Sequence, residues 1–90
     1  FVVIAYDISE DSRRNSVFKK LKNYGEWVQY SLFECELEKK DYLKLKKELQ
    51  EIIKEEEEDK VLFYFLCQRC EGDIKRIGKF DKLEEDGVII

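Results

Sequence analysis

Two short apolar runs, residues 1–6 and 61–67, place the strongest constraint on how this chain can fold. Both are rich in Val, Ile, Phe and Tyr, which favours strands that are covered on at least one face. The longer run is well short of the roughly 20 apolar residues that a membrane-spanning helix needs. We therefore expect two strands, each covered on at least one face, and no transmembrane segment.

The segments between these runs show helical spacing. The acid-rich residues 7–11 can cap a helix and place carboxylates in its first turn. The apolar face of that helix comprises Val17, Phe18, Leu21 and Tyr24. Gly25 follows at the position where a glycine commonly ends a helix. The face of a second helix comprises Tyr42, Leu45, Leu49, Ile52 and Ile53, and the acidic residues 55–59 are predicted to be its solvated, frayed end.

Residues 26–38 are predicted to be extended. Their apolar side chains occupy even-numbered positions from Val28 to Leu32 and odd-numbered positions from Phe33 onward, so the side of the strand that is apolar changes between 32 and 33. Such a change predicts a bend, a bulge or a turn between two strands. Two short β-like stretches follow the second apolar run, at 74–78 and 88–90. The order β-α-β-β-α-β predicts a ferredoxin-like α+β fold, the split βαβ arrangement, with a short C-terminal β extension. We expect one domain over 1–90, with its core in about 1–70 and the extension in about 71–90.

Charge is distributed unevenly along the chain. The 21 acidic and 17 basic residues give a net charge of −4, which argues against a generally polycationic nucleic-acid binder. Residues 11–24, however, contain five basic residues and one acid, a local net charge of +4. Arg13, Arg14 and Lys19 on this helix are candidate phosphate contacts, because arginine in particular binds phosphate in a bidentate way. An ordinary solvated helix face is the alternative.

Asp7 is the most informative acid, because it stands where the first strand ends and the helix begins. Sites in α/β proteins tend to form at the carboxyl ends of strands, and a carboxylate there can bind Mg²⁺. The chain has no histidine, which excludes Ser-His, Cys-His and His-zinc mechanisms and leaves carboxylates for acid, base or metal chemistry. The alternative for Asp7 is a helix cap.

Aromatic residues and cysteines supply further candidates. Trp27, Tyr30 and Phe33 could stack on bases, although alternating aromatics on a strand also serve as core or interface. Cys67 and Cys70 form a CxxC pair, but zinc would need two more ligands and only Cys35 remains. We interpret Cys67 as partly buried and Cys70 as a bystander. Three cysteines and no visible signal peptide predict reduced thiols in the cytoplasm.

Several of these residues together resemble a known family. The sequence Y-D-I-S at 6–9, the pair Arg13-Arg14, the Y-G at 24–25 and the V-Q-Y-S-L-F at 28–33 are similar to the CRISPR-associated protein 2 family. The similarity continues through the Leu-rich second helix to the strand end near Cys67, so it covers roughly residues 2–70. This family is the small subunit of the spacer-acquisition machinery of CRISPR systems.

The resemblance implies a symmetric homodimer in which the fifth strand of each subunit, near 74–77 or 88–90 here, packs on the partner's sheet. It implies that Asp7 from both subunits shares a divalent metal, Mg²⁺ or Mn²⁺. It also implies that Arg14, with Arg13 beside it, and Phe33 contact nucleic acid.

Two functions of different class follow from the resemblance. One is a scaffold: the homodimer would bind duplex DNA and bridge copies of the CRISPR-associated integrase, with integrase docking expected after residue 78. The other is a metal-dependent endonuclease that would cut RNA or DNA with Asp7 as its catalytic residue. Outside this family, the alternatives are a toxin-like ribonuclease of the same fold or a non-catalytic interaction domain.

Overall fold

The computed structural model describes residues 1–67, 69 and 72–78. The strands are β1 (Val2–Asp7), β2 (Gly25–Gln29), β3 (Leu32–Cys35) and β4 (Lys60–Phe65), and the helices are α1 (Asp11–Lys22), α2 (Lys39–Ile52) and a 3₁₀ turn (Glu55–Glu57). The chain order is therefore β-α-β-β-α-β, which confirms the predicted ferredoxin-like α+β fold. Neither α-helix in this part of the chain is long and apolar enough to span a bilayer.

The four strands form one antiparallel sheet in the order β2-β3-β1-β4. Strand β1 lies between β3 and β4, with Ile4 opposite both Phe33 and Phe63. Because side chains alternate along a strand, β1 sends every second residue to each face. Val2, Ile4 and Tyr6 are buried on one face, whereas Asp7 belongs to the opposite face.

Both helices cover the same face of the sheet and enclose the core. The core residues are Val2, Ile4, Tyr6, Ile8, Val17, Leu21, Phe33, Cys35, Leu45 and Leu49. The two predicted helix faces are confirmed, since Phe18, Tyr24, Ile52 and Ile53 pack against this cluster. Neither α1 nor α2 covers the second face of the sheet, which we call the open face, and Leu62 and Tyr64 on this face are 53% and 51% exposed.

Helix α1 begins as expected, with its cap among the acidic residues 7–11, but it ends differently from the sequence-based expectation. Its cap is Glu10, whose carboxylate accepts hydrogen bonds from the backbone N–H groups of Ser12 and Arg13 at 3.0 and 2.9 Å. These two bonds hold the pKa of Glu10 below its usual value. The helix ends at Lys22, and its C-cap, Asn23, has a right-handed helical backbone conformation. The prediction that Gly25 ends the helix is therefore wrong. Gly25 instead opens β2.

The change of parity is explained by a β-hairpin. Strands β2 and β3 are joined by a two-residue turn at 30–31, and their register shifts between Trp27 and Gln29. Both a turn and a bulge were among the predicted causes. Residues 74–77 form no strand, and the predicted strand at 88–90 lies outside the described residues.

Asp59 departs from the predicted solvated end of the second helix. Its neighbours Glu55 to Glu58 are exposed, but Asp59 is buried. The carboxylate accepts a hydrogen bond from the backbone N–H of Lys54 at 2.9 Å and forms an ion pair with Arg13. Asp59, the last residue of the acidic run, therefore links the start of β4 to α1.

Candidate metal and nucleic-acid site

Asp7 is an exposed carboxylate at the end of β1, on the open face of the sheet. Its backbone is paired with Lys60 of β4, and its side chain has no hydrogen bond or ion pair within residues 1–67, 69 and 72–78. Because Glu10 caps α1, the alternative that Asp7 is the helix cap is wrong. Asp7 is thus available to a ligand.

One chain supplies too few ligands for a metal site. Among the residues that the structure describes, no group of three or more Asp, Glu, Cys or His side chains is arranged to hold an ion. Mg²⁺ commonly binds through one or two carboxylates and keeps several waters. Asp7 can supply one such carboxylate, and a second has to come from outside the described residues of this chain.

Arg14 lies next to this strand end and fixes the loop that follows it. Its Nη1 donates to the carbonyls of Ile8 and Ser9 at 3.0 and 3.3 Å, and its Nη2 pairs with Asp11. The side chain stays partly exposed. Arg14 therefore holds the loop that follows β1, with a partly exposed guanidinium fixed by three acceptors.

Arg13, the neighbouring residue, has a different environment. Its Nε lies 2.8 Å and its Nη2 3.3 Å from the two carboxylate oxygens of Asp59, and Nη2 also lies 3.3 Å from Glu57. Its side chain is largely buried by these contacts. The guanidinium holds the pKa of Asp59 below its usual value. The structure therefore does not support Arg13 as a phosphate contact, because its side chain is largely buried and bound to both Asp59 and Glu57.

Phe33, the aromatic residue predicted to contact nucleic acid, lies in the core. It is 0% exposed and packs against Phe18 and Tyr6, with ring centroids 5.4 and 6.3 Å away. Strand parity turns Phe33 toward the helices, so neither ring face is open to a base. The predicted stacking role of Phe33 is not supported.

Both helices carry exposed lysines, and those of α2 were not predicted as candidate phosphate contacts. The exposed side of α2 carries Lys40, Lys44 and Lys47 at helical spacing, with no ion pair to any residue that the structure describes. Helix α1 adds exposed Lys19, and Lys20 joins the helices through Glu48 at 3.7 Å. We call Lys19, Lys40, Lys44 and Lys47 the lysine face. The i, i+4, i+7 spacing within α2 could have revealed it.

The cysteines offer no metal or redox site among the described residues. Cys35 is buried in the core, and burial raises the pKa of its thiol to about 11. Cys67 is exposed, contrary to the expected partial burial. Cys70 lies outside the described residues.

The fold and this strand end define a small ferredoxin-like domain with the exposed carboxylate of Asp7 at the end of its first strand. The sequence model described as CRISPR associated protein Cas2 matches residues 1–74. A protein named CRISPR-associated endoribonuclease Cas2 1 from Chloroflexus aurantiacus is 45% identical over 78 residues, covering 87% of this chain and 84% of its own. A second one, CRISPR-associated endoribonuclease Cas2 2 from Methanospirillum hungatei, is 40% identical over 85 residues, covering 92% and 93%.

Solved structures show the same similarity. The crystal structure of Cas2 from Streptococcus pyogenes at pH 6.5 superposes with a TM-score of 0.75 and 29% identity, covering 86% of this chain and 98% of the other. The chain belongs to the CRISPR-associated Cas2 family, as the sequence resemblance predicted.

Proposed function

We propose that this chain is an endoribonuclease of a CRISPR system that acts as a symmetric homodimer. The observation that carries the proposal is the exposed, unpaired carboxylate of Asp7 at the end of β1, in a family whose relatives are named endoribonucleases. The open face favours the dimer, because Leu62 and Tyr64 expose apolar surface beside β1. Twofold packing of this face would add a second Asp7 to the site.

The two Asp7 carboxylates would hold one Mg²⁺ or Mn²⁺, which supplies a water of lowered pKa and a positive charge next to the phosphodiester. Asp7 acts as ligand and sets the position of the cut. Arg14 contributes a second positive charge near the same strand end and keeps the Ile8–Ser9 carbonyls in place.

The test compares wild type, Asp7→Asn and Glu51→Gln on labelled single-stranded RNA, with Mg²⁺, Mn²⁺ or EDTA. Glu51 is an exposed acid at the far end of α2 and serves as the matched loss of one charge. We expect metal-dependent cleavage by wild type and Glu51→Gln, and background cleavage by Asp7→Asn with an unchanged dimer mass in light scattering. Equal cleavage by Asp7→Asn would refute the assignment.

A second candidate function is favoured by the lysine face: sequence-independent binding of duplex DNA during spacer acquisition, with the homodimer bridging the CRISPR-associated integrase. The four lysines are exposed on an otherwise acidic chain, which is what contacts to a phosphate backbone require. The segment after residue 78, where the integrase is expected to dock, lies outside the described residues. On this hypothesis, acquisition of new spacers survives Asp7→Ala.

Salt dependence tests the lysine face directly. For duplex DNA, log affinity falls with log salt concentration, and each lost phosphate contact reduces the steepness of this fall by about 0.9. We expect this change for Lys44→Gln, on the lysine face, measured by fluorescence anisotropy. Lys46→Gln is the matched control, because Lys46 lies on the other side of α2 beside Val61 and Phe63. Identical slopes for the two variants would exclude this surface.

A further inference from the structure

The turn between β2 and β3 carries an aromatic side chain in an unfavourable position. Tyr30 has φ of +43°, a left-handed conformation that favours Gly, Asn or Asp. Its side chain is 88% exposed, so burial of the ring does not offset this cost. A strained, exposed tyrosine that contributes nothing to the core points to a role in binding.

The turn is held in place by neighbouring side chains. The indole Nε1 of Trp27 donates to the carbonyl of Tyr30 at 2.8 Å, and Trp27 packs edge-on against Phe18 with centroids 6.3 Å apart. On the other side of the turn, the backbone N–H of Tyr6 donates to the carbonyl of Ser31 at 3.1 Å. Tyr30 is thus presented to solvent from a fixed backbone.

A cavity of about 310 Å³ lies beside this ring. Its lining residues are Tyr6, Arg14, Asn15, Phe18, Tyr30 and Ser31. The lining combines aromatic surface, a guanidinium, an amide and a hydroxyl, and the volume is within the range of small-ligand sites. These groups match the parts of a nucleotide: an aromatic face for the base, a cation for the phosphate, and polar groups for the base edge or sugar.

We propose that this cavity binds one unpaired nucleotide of single-stranded RNA, with its base stacked on Tyr30 and its phosphate facing Arg14. The inference rests on the proposed ribonuclease function and adds to it a binding site for one base, beside the end of the strand that carries Asp7. Tyr6, in the wall of the cavity, precedes Asp7 directly in β1, and their side chains point to opposite faces of the sheet. A strand of RNA anchored in the cavity therefore reaches Asp7 by passing the end of β1. A duplex does not fit this path, because its bases are already stacked and paired.

The experiment measures binding in EDTA, so that cleavage does not interfere, for wild type, Tyr30→Gly and Tyr30→Phe. Glycine accepts the left-handed turn, so Tyr30→Gly removes the ring without harming the backbone. Loss of one base-stacking contact lowers affinity about 5- to 150-fold, from about 1–3 kcal/mol per base. We expect this loss for single-stranded RNA with Tyr30→Gly, no change for duplex RNA, and affinity within about twofold of wild type for Tyr30→Phe.

A second readout reports stacking itself. RNA containing 2-aminopurine is expected to lose fluorescence on wild type and Tyr30→Phe but not on Tyr30→Gly. Equal single-strand affinity and equal quenching for wild type and Tyr30→Gly would overturn the inference while leaving the Asp7 proposal intact. Failure of wild type to bind or cut any RNA would overturn both. A Tyr30→Gly protein that binds RNA normally but loses its dimer mass would make Tyr30 a protein contact and overturn the inference.

Discussion

Substitution of Gly25 by alanine is expected to destabilise the β2–β3 pair strongly. Gly25 lies opposite Cys35, and a Cβ added to it would lie 2.3 Å from the Sγ of Cys35 and 2.5 Å from the carbonyl oxygen of Glu34. The carbonyl cannot withdraw, because β3 is held between β2 and β1. Strand β2 must shift instead, and overpacking of this kind costs about 1–3 kcal/mol. Two contacts far below van der Waals distance favour the upper half of that range.

Thermal unfolding followed by circular dichroism measures this effect. At about 4–8 °C per kcal/mol for a domain of this size, a loss of about 2–3 kcal/mol lowers the Tm by about 8–24 °C. Gly72→Ala is the matched control, since a Cβ there meets no atom within 4 Å, and we expect a stability change within about 0.5 kcal/mol.

The variant Cys35→Ala separates the two contacts at Gly25. It removes the sulfur but leaves the Glu34 carbonyl, so Gly25→Ala should cost less in the Cys35→Ala background yet remain destabilising. A Gly25→Ala protein as stable as wild type would refute the close approach of β2 to β3, and with it the position of the turn that carries Tyr30.

Two further predictions concern titrating groups. The pKa of Asp59 lies below its ordinary 3.8 because Arg13 and the Lys54 N–H stabilise the carboxylate, so its stabilisation is present above 3.8 and lost as the pH falls through the lowered value. In urea unfolding from neutral to strongly acidic pH, the free energy of unfolding should therefore fall less steeply with decreasing pH for Asp59→Asn than for wild type. The same pH dependence for both proteins would contradict the ion pair. The hydrogen bond to Glu48 raises the pKa of Tyr24 to about 12, so its contribution to stability is full below the ordinary 10.0 and lost as the pH rises through 12. Ultraviolet titration should show a late-titrating tyrosine that moves toward 10 in Glu48→Gln and not in Lys46→Gln.

The periodic elements were predictable from the sequence because their signals are local. The apolar runs gave β1 and β4, and the i, i+4 spacing of Leu45 and Leu49 gave the buried side of α2. The end of α1 was not predictable in the same way. Gly25 follows an apolar helical face, which suggests a helix terminator, but the observed requirement for glycine is the approach of Cys35 from another strand. That requirement exists only in the folded sheet.

The candidate site also combines features with a local sequence signal and features that depend on residues far away in the sequence. Asp7 was identified from its position at a strand end, which is a local feature. The roles of the neighbouring arginines depend on partners elsewhere: Asp59, 46 residues away, neutralises Arg13, whereas Arg14 bonds to its own loop. Nothing in the acidic run distinguishes Asp59 from its four exposed neighbours. Phe33, by contrast, shares its parity with buried Cys35, so the sequence did contain the sign of its burial.

Under the proposed function, β1 contributes to base binding on one face of the sheet and to cleavage on the other. Tyr6 points to the helix side and lines the cavity, and Asp7 points to the open face where a second subunit would pack. The base and the scissile phosphate therefore lie on opposite sides of the sheet, and the RNA must cross between them at the loop after β1. Arg14 fixes that loop through the carbonyls of Ile8 and Ser9. Its charge thus lies at the crossing point, where the phosphate that links the two sites must pass.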